Sequence, residues 1–192
     1  MSVIFNEPGG GQTPSNPSQQ NNVFQFVQTT KPTERSAGVA LVAGDRWYKP
    51  TAGTSWFWNG TYWLSVETHF AETPLVGMTG TSSAFHNSNG LPINSFINEI
   101  RLAWNGGGQN ASNYYVIQLN YRNLGSTTYS IGTTFNTSTY AGNDKDSKIV
   151  NTRIINHNNY GDATLATAWT AVGSPAAGIF KIYVFYRLVN LD

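Results

Sequence analysis

This sequence predicts an all-β chain: a small module of aromatic β-hairpins followed by an antiparallel β-sandwich of jelly-roll type. Three observations predict it. Apolar residues alternate with period two in one segment after another, aromatic residues make up 14% of the chain, and Gly, Asn, Pro and Ser cluster between the alternating segments. No segment keeps the 3.6-residue apolar period of an amphipathic helix.

Taken in order, residues 1–22 open with the short apolar tip Val3, Ile4 and Phe5 and continue as PGGGQTPSNPSQQNN. That polar low-complexity run has almost nothing to bury, so it reads as a flexible N-terminal anchor that contributes little to folding. Val23 to Val27 alternates as a first strand, and Thr29 to Gly38 reads as a loop. Residues 23–66 form the Trp-rich module, which holds four of the six tryptophans between Gly44 and Ser65. Asn59-Gly60 is the pair a two-residue type I′ turn prefers, because both central positions need positive φ. That turn sets Trp58 against Thr61, Phe57 against Tyr62 and Trp56 against Trp63, with Trp56, Trp58 and Trp63 on one face.

The boundary with the C-terminal sandwich, residues 67–192, falls near Glu67. His69 to Gly80 leads in. Strands are then expected at Ile93–Trp104, Asn113–Arg122, Thr127–Phe135, Lys148–His157, Thr164–Val172 and Gly178–Val189, with turns between them, including Asn105 to Gly108, Asn123 to Gly125, Ala141 to Ser147 and Asn158 to Asp162. In the strand around Ile117, Tyr115, Ile117, Leu119 and Tyr121 share one face. The last strand has Phe180, Ile182, Val184, Tyr186 and Leu188 on one face, yet Ile179, Tyr183, Phe185 and Val189 are apolar on the other. A second sheet or a neighbouring subunit would cover that face.

Composition bounds function. The chain has 192 residues, enough for one domain with additions or two small ones, and carries only 11% charged residues with a net charge of +1. No nucleic-acid footprint or basic membrane patch is indicated, and no apolar run is long enough to span a bilayer. With no cysteine, neither a disulfide nor a thiolate metal site exists, so a module this small must dock on something larger or on copies of itself. The start, MSVIFNEPGGGQ, lacks the features of a secretory signal.

The string from Lys31 to Leu64, with Pro32, Arg35, Gly38, Leu41, Gly44-Asp45, Trp47-Tyr48, Gly53, Trp56, Trp58-Asn59-Gly60 and Trp63, resembles a small module of bacteriophage tail-fibre and other virion proteins, especially of cyanophages. The resemblance covers about residues 30–66, and the remainder of the chain has no counterpart in it. It implies a virion appendage assembled in the host cytoplasm, a homotrimer as such fibres commonly are, contact with other virion proteins through the N-terminus, and a bacterial surface glycan or protein as receptor. It implies no chemistry.

The residues themselves offer little catalysis. Glu67 with Glu72 and Asp144 with Asp146 are the close acidic pairs, and both read as solvated turn residues. His69, His86 and His157 share no metal-ligand spacing, and Lys145 between Asp144 and Asp146 speaks against calcium, so no metal or cofactor is expected. The reading is therefore a non-enzymatic virion protein, a short tail fibre mediating host attachment, with a capsid decoration or head-fibre protein and a free carbohydrate-binding module as alternatives. Receptor contact is expected at the sandwich loops, on Trp104, Asn105, Asn110, Tyr140, Asn143, Asp144 and Tyr160. Trp47, Trp56, Trp58 and Trp63 read as module core in preference to a sugar-stacking platform.

Overall fold

The computed structural model describes residues 4–6, 23–92, 94–107, 109–122, 128–140, 142–153 and 163–190. They form two compact units, one of Met1–Thr68 together with Arg187–Asp192, the other of His69–Tyr186. All regular elements among the described residues are strands.

The first unit is built on a five-stranded sheet of β1 (Ile4–Asn6), β2 (Phe24–Val27), β5 (Arg46–Lys49), β6 (Thr54–Trp58) and β7 (Trp63–Ser65), in that order. A separate two-stranded hairpin pairs β3 (Glu34–Ser36), which lies within the stretch expected as loop, with β4 (Val39–Ala40), which follows it directly. The expectation that residues 1–22 add little to folding needs correction at Ile4–Asn6, which pair in parallel with Phe24–Phe26. Val3 and residues 7–22 lie outside the described residues.

The β6–β7 hairpin differs from the expected register by two residues. Trp58 pairs with Trp63, Phe57 with Leu64 and Trp56 with Ser65, so residues 59–62 form the loop. The cause is the side chain of Asn59, whose Oδ1 accepts from the N–H groups of Thr61 (2.9 Å) and Tyr62 (2.7 Å), while Asn59 N–H donates to the Tyr62 carbonyl at 3.0 Å. This Asx turn makes a wider loop than a two-residue I′ turn. A shift of two leaves every side chain on its face, and Trp56, Trp58 and Trp63 remain together. Trp47 and Trp63 are fully buried with Phe24 and Phe26, and Leu41, Trp56 and Trp58 pack against them partly buried.

The chain end closes this sheet. Val189 bridges Leu64, Asn190 N–H donates to the Trp63 carbonyl at 2.9 Å, and Leu188 N–H donates to Ser65 Oγ at 3.0 Å. The segment from Arg187 on thus belongs to the first unit and not, as expected, to the sandwich. Pairing there satisfies the exposed edge of β7 that a cysteine-free module would otherwise present to solvent.

The second unit holds β8 (His69–Glu72), β9 (Val76–Met78), β10 (Ser82–Leu91), β11 (Ser95–Gly106), β12 (Tyr114–Arg122), β13 (Thr128–Asn136), β14 (Gly142–Arg153), β15 (Ala163–Val172) and β16 (Gly178–Leu188). One sheet runs β10–β15–β12–β13; the other runs β14–β11–β16–β8, with β9 also on β16. Strands β8 and β9 act as one strand interrupted at Thr73–Leu75, where Pro74 has no N–H to give the ladder. Thr73 instead spans the gap, its N–H donating to the Ile182 carbonyl (2.9 Å) and its Oγ1 accepting from Ile182 N–H (3.0 Å). Every connection from β9 on, apart from the β12–β13 hairpin, changes sheet. This order of eight strands in two sheets is that of a jelly roll.

Between the sheets, Tyr115, Ile117, Leu119 and Tyr121 of β12 meet Ile100, Leu102 and Trp104 of β11 and Phe180, Ile182 and Val184 of β16, all buried. Trp169 packs edge-on against Phe180 at 5.8 Å, and Trp104 against Tyr115 at 6.2 Å. A shift in register between Ile97 and Glu99 keeps both Ile97 and Ile100 inside. Of the expected strands, those around Ile117 and Phe180 fall where the alternation put them. The expected Lys148–His157 begins earlier, at Gly142, and runs to Arg153; residues 154–160 lie outside the described residues.

Candidate binding face

Two of the residues expected to meet a receptor are core. Trp104 is 2% and Tyr140 6% exposed, with ring centroids 6.3 Å apart. The indole of Trp104 fills space that Gly106 and Gly178 leave: a Cβ on Gly178 would stand 2.1 Å from its Cη2. A residue bordered by glycines is thus packed against backbone, where sequence alone reads a loop. Asn143 and Asp144 are likewise corrected from loop to strand, because residues 142–153 pair with β11 along its length. Asn105 and Asn143 face each other across that pair and are exposed. Asn110 is exposed but its Oδ1 is engaged in its own turn, accepting from Ser112 and Asn113 N–H at 2.9 and 3.0 Å. Tyr160 lies outside the described residues.

Tyr140 has a structural task at the edge of the sandwich. Its hydroxyl donates to Asp146 Oδ2 at 2.8 Å, and Lys148 Nζ stands 3.2 Å from the same oxygen. Burial pushes the Tyr140 phenol above its ordinary range, and the hydrogen bond to Asp146 and the charges of Asp146 and Asp144 add to this. For Asp146, partial burial raises the carboxyl, but the Tyr140 hydroxyl, Lys148 and the Ser147 N–H together outweigh it and hold it below the ordinary value. Asp144, Asp146 and Lys148 are partly buried positions of β14, as is Val150 next in phase, and β14 is an edge strand in the sheet order. Inward-facing charge of this kind discourages another strand from pairing there.

What the second unit offers a partner is the outer face of the β14–β11–β16–β8 sheet. Of the last-strand residues expected to be covered by a second sheet or a subunit, Ile179, Tyr183 and Phe185 stand on this face, because the second sheet packs on the other side, whereas Val189 is buried in the first unit against Leu64. Phe185 lies beside Phe70 (6.4 Å between centroids) and under the Arg101 guanidinium (4.4 Å), while Lys181 stands over Tyr183 at 5.3 Å. Ion pairs flank them: Arg101 with Glu99 at 2.8 Å and Lys181 with Glu72 at 2.7 Å. Hydrogen bonds to these partners raise Arg101 and Lys181 and lower Glu99. Phe70 (64%), Ile149 (72%) and Ile179 (45%) remain exposed. An open groove of about 440 Å³ runs between Arg101, Ala103, Lys145, Ser147 and Tyr183. Its lining carries both signs of charge, Glu99 and Asp146 with Arg101 and Lys145, and Tyr183 stands on its wall.

Sequence reasoning flagged Tyr183 and Phe185 by their outward apolar phase but missed Arg101 and Phe70. They meet Phe185 only through the strand order, although Arg101 and Glu99, two apart on one strand, are a readable sign of an outward charged face.

In the first unit the residues of the recurring aromatic string form one hydrogen-bonded assembly. Asp45 is fully buried and Arg35 is 3% exposed. The carboxylate accepts from Arg35 Nε (2.9 Å) and Nη2 (2.7 Å), from Phe24 N–H (3.0 Å) and from Val42 N–H (2.9 Å), and the guanidinium lies over the Phe24 ring at 4.6 Å. Gly44, at φ +102°, lets its N–H and the Asp45 carbonyl both bond to Trp58, a bulge that a side chain at residue 44 would strain. Trp47 Nε1 donates to the Gln28 carbonyl and Trp63 Nε1 to the Pro32 carbonyl, both at 2.9 Å.

Among the described residues no three His, Asp or Glu side chains gather as a metal set. No protein-family model matches the chain, and comparison with the curated proteins gives no match. Among solved structures, the chain is similar to one described as the cyanophage Pam1 capsid asymmetric unit, at 18% identity, covering 82% of this chain and 99% of that one, with a TM-score of 0.42. A likeness of this size decides neither fold nor role.

Proposed function

We propose that the protein is a non-enzymatic structural component of a bacteriophage particle, a short tail fibre that helps the particle attach to its host cell. The observation that supports this best is the first unit. Arg35, Gly44-Asp45, Trp47, Trp56, Trp58-Asn59-Gly60 and Trp63, the residues that resemble the tail-fibre module, are the ones that make its ion pair, bulge, aromatic cluster and hairpin turn. A signature whose members depend on one another marks a folding unit and not a chance spacing.

The jelly roll of the second unit is a fold that serves shell and lectin domains alike, so it fits a fibre or a head decoration equally. The exposed apolar and aromatic outer face of the β14–β11–β16–β8 sheet supports a partner surface, and assembly as a homotrimer belongs to this reading. Gold-labelled antibody against the chain, imaged on intact particles, tests it. Label at the tail is the expected result, label over the head shell replaces the fibre with a decoration protein, and particles without label overturn the virion reading.

A further inference from the structure

The first unit has an outer face as well as its tryptophan core, and the strand register lines it up. Gln25 pairs with Arg46, Arg46 with Phe57 and Phe57 with Leu64, so these four residues form one row across the sheet, with Tyr48 and Ser55 paired in the next. Two guanidinium groups stand against one ring in this row: Arg46 Cζ is 5.6 Å and Arg187 Cζ 5.0 Å from the Phe57 centroid. Among the described residues neither has a carboxylate partner, the ion pairs being made by other side chains. Arg187 gives one Nη1 to the carbonyls of Ser65 and Val66, which fixes its position and leaves its charge uncompensated. Burial and the nearby charge of Arg46 both lower Arg187 from its ordinary value. Like charges gathered on a folded surface cost stability unless an anion offsets them.

Beside them is an open depression of about 230 Å³ lined by Gln25, Arg46, Tyr48, Ser55, Trp56 and Val66. It is smaller than the pockets of about 300–1,000 Å³ that take drug-sized ligands, which suits one ring or one functional group. Its polar side chains are donors: guanidinium, amide, phenol and hydroxyl, with no carboxylate in the lining. The groove of the second unit, by contrast, carries both signs of charge. Bidentate guanidinium recognition favours planar or tetrahedral oxyanions, and an aromatic wall favours an apolar ring face beside them. With only a +1 net charge over the whole chain, a nucleic-acid backbone is disfavoured as the source of that oxyanion.

We propose that this face binds an acidic saccharide, with a carboxylate or sulfate group held by Arg46 and Arg187 and the sugar ring seated in the depression beside Tyr48. The inference does not depend on where the chain sits in a particle, because it is tested on the purified full-length protein. Titration calorimetry would use short oligomers of equal length: a polyuronate, a dextran sulfate, neutral dextran and an oligothymidylate. Binding of a charged oligosaccharide with no binding of dextran is expected, and whichever of polyuronate and dextran sulfate binds more tightly identifies the anion. Arg46→Gln is expected to weaken that binding about tenfold or more, while Arg101→Gln, on the second unit, leaves it unchanged. Arg187→Gln is expected to act the same way. Because Arg187 also holds the Ser65 and Val66 carbonyls, Arg46→Gln decides the matter if that second variant fails to fold. Four results would overturn the proposal: dextran binding as tightly as the charged oligomers, oligothymidylate binding more tightly than either, no charged oligosaccharide binding below about 1 mM, or full affinity retained in Arg46→Gln.

Discussion

Replacing Asp45 by Asn tests whether the buried ion pair holds the first unit together. The substitution keeps the volume and one acceptor oxygen but removes the charge opposite Arg35, which is only 3% exposed and is held bidentately by this carboxylate. Breaking one side of a buried pair costs about 3–5 kcal/mol, because the remaining charge stays desolvated. Asn also turns an NH2 group towards one of the donors that now point at the carboxylate, Phe24 N–H at 3.0 Å or Val42 N–H at 2.9 Å. A domain of 60–100 residues loses about 4–8 °C of Tm per kcal/mol, so the midpoint should fall by roughly 20 °C. Tryptophan fluorescence isolates the event, since four of the six tryptophans stand between Gly44 and Ser65. A shift under about 5 °C, equivalent to about 1 kcal/mol, would show that water or a rearranged Arg35 replaces the carboxylate and that the pair is dispensable. The double replacement Arg35→Met with Asp45→Leu should recover only part of the loss, because it removes the unpaired charge but leaves the Phe24 and Val42 N–H groups without their acceptor.

Two further outcomes follow from the second unit. Tyr140→Phe removes the hydroxyl that donates to Asp146 Oδ2 at 2.8 Å, so the Asp146 carboxyl should titrate at higher pH by NMR and the unit should lose about 1.5–3 kcal/mol; an unmoved Asp146 titration would show that Lys148 suffices. His86 is 4% exposed with Nε2 at 2.9 Å from Thr167 Oγ1, and burial lowers it from its ordinary 6.5, so the unfolded chain takes up a proton first as pH falls. Stability is therefore complete above pH 6.5 and declines below it by up to about 1.4 kcal/mol per pH unit until the folded-state value is reached, a slope that His86→Gln should flatten in urea melts between pH 7 and pH 5.

The interior strands are legible in the sequence, and so is the edge strand β13, expected at Thr127–Phe135 and found at Thr128–Asn136. Strands β12 and β16 lie between neighbours, bury one face fully and so display the alternation of Tyr115, Ile117 and Leu119 or of Phe180, Ile182 and Val184. Edge strands do not need it. Strand β10 turns Ala84 and His86 inward, and β14 is written Asn-Asp-Lys-Asp-Ser-Lys, a composition that reads as a turn and works as an edge because charge there discourages further pairing. The hairpin register was off by two because Asn59 closes its loop with the side chain instead of through the backbone of a I′ turn, a choice that the pair Asn-Gly permits in both forms. The Arg35–Asp45 pair leaves no periodic trace, since its members are ten positions apart with the short β3–β4 hairpin turn between them.

The same logic explains why loop-borne polar groups were poor guides to the site. Position on a strand decides whether an aromatic residue is core or contact, and phase alone cannot reveal it until the strand's neighbours are known. Trp104 and Phe185 both sit in alternating segments, yet Trp104 points between the sheets into space cleared by Gly106 and Gly178, and Phe185 points out beneath Arg101. Contact groups then come from non-consecutive strands: Phe70, Arg101 and Phe185 on one unit, Arg46, Phe57 and Arg187 on the other. The two sets differ in one respect that matters for recognition. Arg101 is neutralised by Glu99 two residues away on its own strand, whereas Arg46 and Arg187 share a ring and, among the described residues, have no carboxylate partner. A charge-balanced face favours broad contact with another protein surface, and an unbalanced cationic one requires an anion from outside. Together the two proposals predict a division of labour, with assembly through the jelly roll and ligand capture on the tryptophan module.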